Sequence, residues 1–338
     1  MNFRRVFLWL LLAIVVAGSV AWLWPVPERV IQGKSERQWI AELKPHYDPD
    51  QELLWKALGD DGIRMLVRKY QNSYWSAEYV WQRTYRRLSR FLPKGVLRLF
   101  PSPAAIVTMG PRATLMSRLG SLRDPQGLGL SVATLALDDF DMGARLGAIS
   151  YFKHGTLIDT PLTRMDPRDK ARLLPKFLAG LQDPQWLVRN SSVAALRFFP
   201  EASSEVVPAL SRALSDPQPE VQLAAAWILH GMASDPQTQH AAIVAVITVL
   251  KGPNDQIAWQ AAEALGELGA EPELAVPALI AALDSPSALT ASTAFEALAR
   301  FPQWPPGSRA TVEKFLQHPN ADMRQHAANV LKAPAARR

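Results

Sequence analysis

Few residues in this 338-residue sequence have the types and spacing that chemistry requires. It contains no cysteine, which excludes disulfides, thiolate zinc sites, a cysteine nucleophile and a cysteine for lipid attachment. Of the six histidines, His318 and His326 lie closest together, with only Asp322 as a nearby carboxylate, and this favours surface histidines over a metal site. There is no Gly-x-Ser-x-Gly elbow. We therefore predict no catalytic, cofactor-binding or metal residues, and a chain that is not an enzyme.

One short motif resembles part of a phosphate-binding loop. Gly33-Lys34-Ser35 matches the end of that motif, but its first glycine would fall at Glu28, so the match fails. The segment instead predicts a helix N-cap at Ser35, ahead of a helix over 36–43.

The N-terminus predicts a membrane segment. Arg4 and Arg5 close a short cytoplasmic region (1–5), and residues 6–24 then contain no charge. A helix of this length spans about 28 Å, close to the hydrocarbon thickness of a bilayer. By the positive-inside rule we expect a signal-anchor with its N-terminus in the cytoplasm and the remaining chain extracytoplasmic, periplasmic in a bacterium.

Two alternatives to the anchor stay open. Ser19-Val20-Ala21 offers small residues where a signal peptidase cleaves, so the segment also fits a signal peptide of a secreted protein. A buried core helix of a cytoplasmic protein is the third interpretation.

From residue 170 onward the sequence repeats, and this period predicts the fold. Five reference prolines are 33, 36, 33 and 33 residues apart: Pro184, Pro217, Pro253, Pro286 and Pro319. A leucine stands three residues before and twelve residues after each of them: Leu181, Leu196, Leu214, Leu229, Leu250, Leu265, Leu283, Leu298, Leu316 and Leu331. Ten leucines in ten positions exceed what composition would give.

The repeat predicts two helices per unit. Eight residues after each reference proline is a small residue, from Ser192 to Ala327, and this position continues an apolar stripe at helical spacing. Proline cannot continue a preceding helix but is tolerated in the first turn of the next. Each unit therefore reads as helix, Asp-Pro-type turn, helix.

This pattern resembles the HEAT-repeat family, and in particular its bacterial members, which are exported or anchored to the membrane. The closest segments start at Val207-Pro208-Ala209-Leu210 and Val276-Pro277-Ala278-Leu279. The family's arginine after the turn, which often pairs with the turn aspartate, is present as Arg189 and Arg324 and replaced by glutamine or alanine in the other three units. The resemblance implies an all-α, right-handed α-solenoid of about seven helical hairpins behind a transmembrane helix.

Upstream of residue 170 the match is weaker. Leu137, Arg145 and Ala148 fit a degenerate unit, although Leu122, Ala133 and Leu137 fit a second frame. The predicted organisation is a linker over 25–35, degenerate repeats over 36–169, regular repeats over 170–333 and a tail over 334–338.

The second helices provide the first candidate binding surface, because in HEAT arrays these helices line the concave side. Positions away from the apolar stripe hold Asn190, Arg197, Trp227, His230, Trp259, Glu263 and Glu296. Tryptophan is enriched at binding hot spots, so Trp227 and Trp259 are the strongest candidates. The alternative is that both fill gaps between repeats.

The second surface is a basic amphipathic helix over 77–92. Its cationic face holds Arg83, Arg86, Arg87 and Arg90. It fits a solvated array helix, a patch for an acidic protein or anionic polymer, or a helix lying on anionic lipid. Nucleic acid is not expected for an extracytoplasmic domain.

We therefore expect a non-enzymatic, protein-binding scaffold whose partner is another protein. Three alternatives stay open: a solenoid enzyme or accessory factor with a site in the irregular region 90–170, a membrane-surface or anionic-polymer binder acting through the basic helix, and an array that associates with itself.

Overall fold

The computed structural model describes residues 29–44, 48–73, 111–139, 141–153 and 160–332, with eight isolated residues between 80 and 96. The predicted transmembrane segment 6–24 lies outside these residues, as do the arginines at 83, 86, 87 and 90. Within the described ranges, no helix combines the length and apolarity that a membrane crossing requires.

The start of the described chain differs from the predicted linker over 25–35. Strands β1 (Val30–Ile31) and β2 (Lys34–Ser35) form an antiparallel hairpin, because the two turn residues between them adopt φ angles of 48° and 80°, as a tight hairpin turn requires. The predicted cap at Ser35 is confirmed, since its side chain accepts from the Gln38 backbone N–H in a capping box. Helix α1 ends at Ala41, two residues earlier than expected.

The described secondary structure is otherwise helical. The helices before residue 170 begin with α1 (Glu36–Ala41) and continue with α2 (Pro49–Ser73), α3 (Pro111–Ser121), α4 (Leu130–Ala136), α5 (Met142–Lys153), α6 (Pro161–Arg164) and α7 (Pro167–Gly180). Those that follow are α8 (Trp186–Leu196), α9 (Ser203–Ala213), α10 (Pro219–Met232), α11 (Pro236–Leu250), α12 (Asp255–Leu268), α13 (Pro272–Ala282), α14 (Ala288–Ala299), α15 (Ser308–Glu313) and α16 (Ala321–Lys332). Gly59, at φ 53°, kinks α2.

The helices pack as two layers of a solenoid. The second helices α5, α8, α10, α12, α14 and α16 each contact the next in this order, and the first helices α9, α11, α13 and α15 do the same. Six hairpins, from α4/α5 to α15/α16, are present in the described part of the chain. Each one buries its apolar face against its neighbours, as a linear array requires.

The repeat leucines and small residues occupy the predicted core. Four of the five leucines after the reference proline are fully buried, and Leu331 is partly buried. The small residue of every unit is also buried, with an exposure of 0% at four of the five positions and 1% at Ser192. Leu316 differs, because in the last unit it is 37% exposed.

The reference prolines lie before the second helices, not in their first turn as expected. Pro184 precedes the first residue of α8 by two positions, and Pro217 stands in the same way before α10. The reason is the turn aspartate, whose Oδ1 accepts the backbone N–H two residues on: Gln185 donates to Asp183 and Gln218 to Asp216, both at 2.9 Å. This Asx-type turn places the proline at the corner.

A polar ladder joins successive turns along one edge of the array. The Arg189 guanidinium donates to both Asp216 carboxylate oxygens, through Nε at 2.7 Å and Nη2 at 2.8 Å. One unit earlier, Arg145 Nη2 donates to Asp183 Oδ1 at 3.0 Å. Each of these pairs joins a second helix to the turn of the next unit.

The same ladder shows which of the two possible repeat frames applies upstream of residue 170. Arg112, near the start of α3, pairs with buried Asp139, just as Arg145 pairs with Asp183 and Arg189 with Asp216. Helix α3 therefore acts as a second helix, and α4/α5 is the following hairpin, in the frame of Arg145 and Ala148.

Candidate functional site

The predicted contact residues share one face of the second helices, which we call the second-helix face. Trp227 in α10 is 46% exposed, and Glu263 in α12 and Glu296 in α14 are also exposed. Four others are half-buried: Asn190, Arg197, His230 and Trp259. The structure thus leaves all seven outside the fully buried core.

The two tryptophans differ. Trp227 keeps almost half its surface in contact with solvent, so it is not filling a gap between repeats. Trp259, about one turn into the next second helix, is half-buried. An exposed, rigid aromatic side chain on an ordered helix is typical of a binding hot spot, and only Trp227 has that exposure.

Arg197 lies beside Trp227. It is the C-cap of α8, and its guanidinium carbon lies 6.0 Å from the centre of the Trp227 ring and 4.9 Å from that of Phe198. These distances allow cation–π attraction. The contact joins two repeat units on the second-helix face and holds the arginine near an exposed aromatic surface.

Lys153 belongs to the same surface, although sequence reasoning missed it. It is the last residue of α5, and the pKa of its amine is lowered, first by burial and then by the positive charge of Arg197. The missed signal is positional: Lys153, Arg197 and His230 each stand eight residues after the ladder positions Arg145, Arg189 and Gln222.

Two atoms of this face are buried without a hydrogen-bond partner in the described structure: Asn190 Oδ1 and His230 Nδ1. Both residues were predicted contact positions. An unsatisfied polar atom costs about 1–3 kcal/mol when buried.

The charge of the face changes along the array. Lys153 and Arg197 form its basic end, and in the part of the chain that the structure describes neither has a carboxylate within ion-pairing distance. Glu263 and Glu296 are exposed two and three units beyond Arg197. The face therefore carries basic side chains on α5 and α8 and exposed acidic side chains on α12 and α14.

The irregular region holds buried polar groups that hydrogen-bond to one another. The Tyr70 hydroxyl donates to Asp139 Oδ2 at 2.5 Å, and the Arg112 side chain lies 4.3 Å from the Tyr70 ring centre. Nearby, Tyr151 donates to Asp124 at 2.7 Å. Burial raises the pKa of both tyrosine hydroxyls, so they remain protonated donors. The arrangement is that of buried cross-links between α2, α3, α4 and α5.

The histidines near the C-terminal end pack on aromatic rings. The His326 ring stacks on Phe295 at 5.8 Å, and the His318 ring stacks on Phe315 at 5.9 Å. Within the described residues, no group of three or more histidine or acidic side chains is arranged to hold a metal ion.

Comparison with known proteins agrees with the repeat analysis. The sequence matches the family described as HEAT repeats over residues 174–243 and 243–332. No curated protein matches the sequence.

Solved structures of similar chains include two designed armadillo repeat proteins. The first, YIII(Dq)4CqI, is 19% identical, with a TM-score of 0.41 over 60% of this chain and 99% of its own. The second, YIII(Dq.V1)4CPAF in complex with the peptide (KR)4, is 17% identical, with a TM-score of 0.41 over 60% and 98%. The Escherichia coli protein YibA is 14% identical, with a TM-score of 0.46 over 90% and 99%.

The family match covers the regular units, in which the leucine period, the buried small residues and the Asp-Pro turns all recur. The all-helical, two-layer packing extends the same architecture upstream through α4/α5. Residues 174–332 are HEAT repeats, and the chain is a HEAT-like α-solenoid protein.

Proposed function

We propose that this chain is a non-enzymatic scaffold that binds another protein through its second-helix face. The observation that carries the proposal is Trp227, which is 46% exposed on an ordered helix and lies against the Arg197 guanidinium of the preceding unit. Tryptophan and arginine are enriched among the few residues that supply most of the binding energy at protein interfaces, and an extended array offers many positions for them in a row.

We also propose that the array is held at the outer side of a membrane. The charge-free segment 6–24 behind Arg4 and Arg5 would hold the array at a membrane, on its outer side, as in bacterial envelope proteins. Tethering confines the array to the layer next to that membrane, which raises its effective concentration for partners held there.

The test is proximity labelling and crosslinking of the full-length, membrane-associated protein, compared with Trp227→Ala. The control is Leu274→Ala, because Leu274 is 38% exposed on the first helix α13. We expect Trp227→Ala to reduce capture of a specific protein by about tenfold, a loss of about 1.4 kcal/mol, and Leu274→Ala to leave it unchanged. Both variants must keep the wild-type circular dichroism spectrum.

Equal capture by wild type and Trp227→Ala would contradict the proposal. If the captured protein is a second copy of this chain, the array is self-associating, and a mass that rises with concentration would show it. Trp259→Ala should reduce capture less, because that side chain is half-buried.

A further inference from the structure

Three neighbouring second helices present basic or imidazole side chains at equivalent positions. Lys153 is the last residue of α5, Arg197 caps the C-terminus of α8, and His230 lies in the last turn of α10. Each stands eight residues after the position that forms the turn ladder. Because α5 packs on α8 and α8 on α10, the three side chains form a row across the array, which we call the basic row.

The basic row is not neutralised within the described structure. Lys153 and Arg197 form no ion pair with any described carboxylate, whereas the arginines of the turn ladder pair with aspartates. Burial and the neighbouring Arg197 charge lower the pKa of Lys153. Neighbouring cations that lack a counterion among the described residues repel each other, and an anion placed between them would remove that cost.

Helix capping does not account for this arrangement. Cations near a helix C-terminus interact favourably with the helix dipole, but that interaction is available to a solvated side chain. It requires neither the burial of Lys153 nor its proximity to a second cation. The exposed ring of Trp227, 6.0 Å from Arg197, adds an apolar surface beside the charges.

We infer that the basic row, Lys153, Arg197 and His230, with Trp227 beside it, binds an extended acidic segment of the partner protein. This inference rests on the proposed function and names the chemistry of the partner. Packed helices lie about 8–10 Å apart. A polyproline II segment advances about 3.1 Å per residue with three residues per turn, so every third side chain meets the next member of the row.

The expected ligand therefore carries acidic residues at positions i, i+3 and i+6, with an apolar residue between them for the Trp227 ring. On the next two second helices, α12 and α14, the face instead exposes Glu263 and Glu296. The complementary acidic segment thus spans three units, and a longer acidic run would meet repulsion instead of further attraction.

The probe is a fluorescein-labelled peptide, Glu-Pro-Pro-Glu-Pro-Pro-Glu, titrated with the full-length protein in detergent by fluorescence anisotropy at low salt. Its isomer Pro-Pro-Glu-Glu-Glu-Pro-Pro has the same charge and composition but the wrong spacing. We expect saturable binding of the spaced peptide and about tenfold weaker binding of the isomer, because only the spaced peptide reaches all three units. A peptide of twice the length should not bind more tightly.

Charge reversal locates the site. Lys153→Glu and Arg197→Glu should each raise the Kd about tenfold, whereas Arg212→Glu, on the exposed surface of the first helix α9, should leave it unchanged. A peptide with lysine in place of its central glutamate should recover binding to Arg197→Glu alone. A purely structural role for Arg197 would not produce that recovery.

The inference is overturned if the spaced peptide does not bind, if both isomers bind equally, or if the reversed-charge peptide does not recover binding. It is also overturned if inorganic polyphosphate or vesicles of anionic lipid bind through Lys153 and Arg197 while the peptide does not. Partner capture that depends on Trp227, without peptide binding, would refute the acidic ligand and leave the scaffold function standing. If neither Trp227-dependent capture nor peptide binding is observed, both the scaffold function and the acidic ligand are refuted.

Discussion

The Arg189–Asp216 pair should be the strongest polar contact between two regular units. Arg189 on α8 donates two hydrogen bonds to the Asp216 carboxylate in the turn of the next unit, at 2.7 and 2.8 Å. The side chains are only 12% and 8% exposed. Arg189 Nη1 also donates to the Asp183 carbonyl of its own turn at 3.0 Å.

Two contributions determine the effect of Arg189→Ala. The hydrogen bond to the Asp183 carbonyl contributes about 1.5 kcal/mol, as bonds from charged donors do. Removing one partner of a buried ion pair costs about 3–5 kcal/mol, and the residual solvent contact of this pair reduces its share to about 2 kcal/mol. We therefore expect Arg189→Ala to lower the free energy of unfolding by about 3–4 kcal/mol.

Gln222→Ala is the matched control within the array. Gln222 occupies the same position one unit later, and its Nε2 donates to the Asp216 carbonyl at 2.6 Å, but it forms no ion pair. Its loss should cost about 1 kcal/mol, the value of a neutral hydrogen bond.

Urea unfolding and native-state hydrogen exchange of the α8 and α9 amides give the two free energies. A double-mutant cycle with Asp216→Asn isolates the pair, with an expected coupling of about 2 kcal/mol. If Arg189→Ala costs no more than Gln222→Ala, the inter-unit pair contributes nothing and the reasoning is refuted.

Three further predictions concern other parts of the array. Gly147→Ala should destabilise the protein by about 2 kcal/mol in urea unfolding, because the added Cβ would lie 2.6 Å from α3 backbone, whereas Gly231→Ala, with open space around it, should stabilise by about 0.5–1 kcal/mol. Lys153→Met should raise the free energy of unfolding at neutral pH. In the wild type, the free energy of unfolding should rise with pH between the lowered native pKa of Lys153 and its unfolded pKa, because the unfolded chain binds more protons in that pH range. Tyr70→Phe should cost about 1–3 kcal/mol in thermal or urea unfolding, because it removes the donor to buried Asp139; an unchanged stability would contradict the cross-link.

The regular units could be predicted from sequence because their signal is repeated. One leucine at one position is uninformative, but Leu196, Leu229 and Leu265 at the same position of successive units specify a buried helix face, and all three have an exposure of 0%. The proline position was wrong by two residues. The hydrophobic period does not encode the Asx-type turn, which depends on a single hydrogen bond from the aspartate side chain.

The upstream units were harder to predict because the turn lacks its proline. Phe140 stands where the Asp-Pro turns have proline, so the turn was recognisable only through Asp139 and the arginines that face it. The ladder partners Arg112 and Asp139 are 27 residues apart, and Arg189 and Asp216 are also 27 residues apart. This equal separation identifies the upstream turn, whereas the spacing of the leucines does not.

At the candidate site, the sequence does not reveal how exposed each side chain is. Helical periodicity places Trp227 and Trp259 on the same face, but it cannot distinguish the side chain that is 46% exposed from the one that is half-buried. That difference depends on the rotation of each helix against its neighbours. Lys153 was missed because its unit was not aligned with the regular ones.

The turn ladder and the basic row lie eight residues apart on the same helices, so the contacts that stabilise the array also set the spacing of the basic row. The ladder arginines are neutralised by the next unit, so they fix the spacing of the helices. Lys153 and Arg197 of the basic row pair with no carboxylate among the described residues, and the spacing that the row presents is the one that the ladder holds. Weakening the ladder should therefore reduce selectivity for acidic residues three positions apart before it abolishes binding. Charge attraction persists when the spacing changes, but the match of the peptide to all three units is lost. In Arg189→Ala, a smaller difference between the spaced peptide and its isomer, at nearly unchanged affinity for the isomer, would show this coupling; an equal loss for both peptides would refute it.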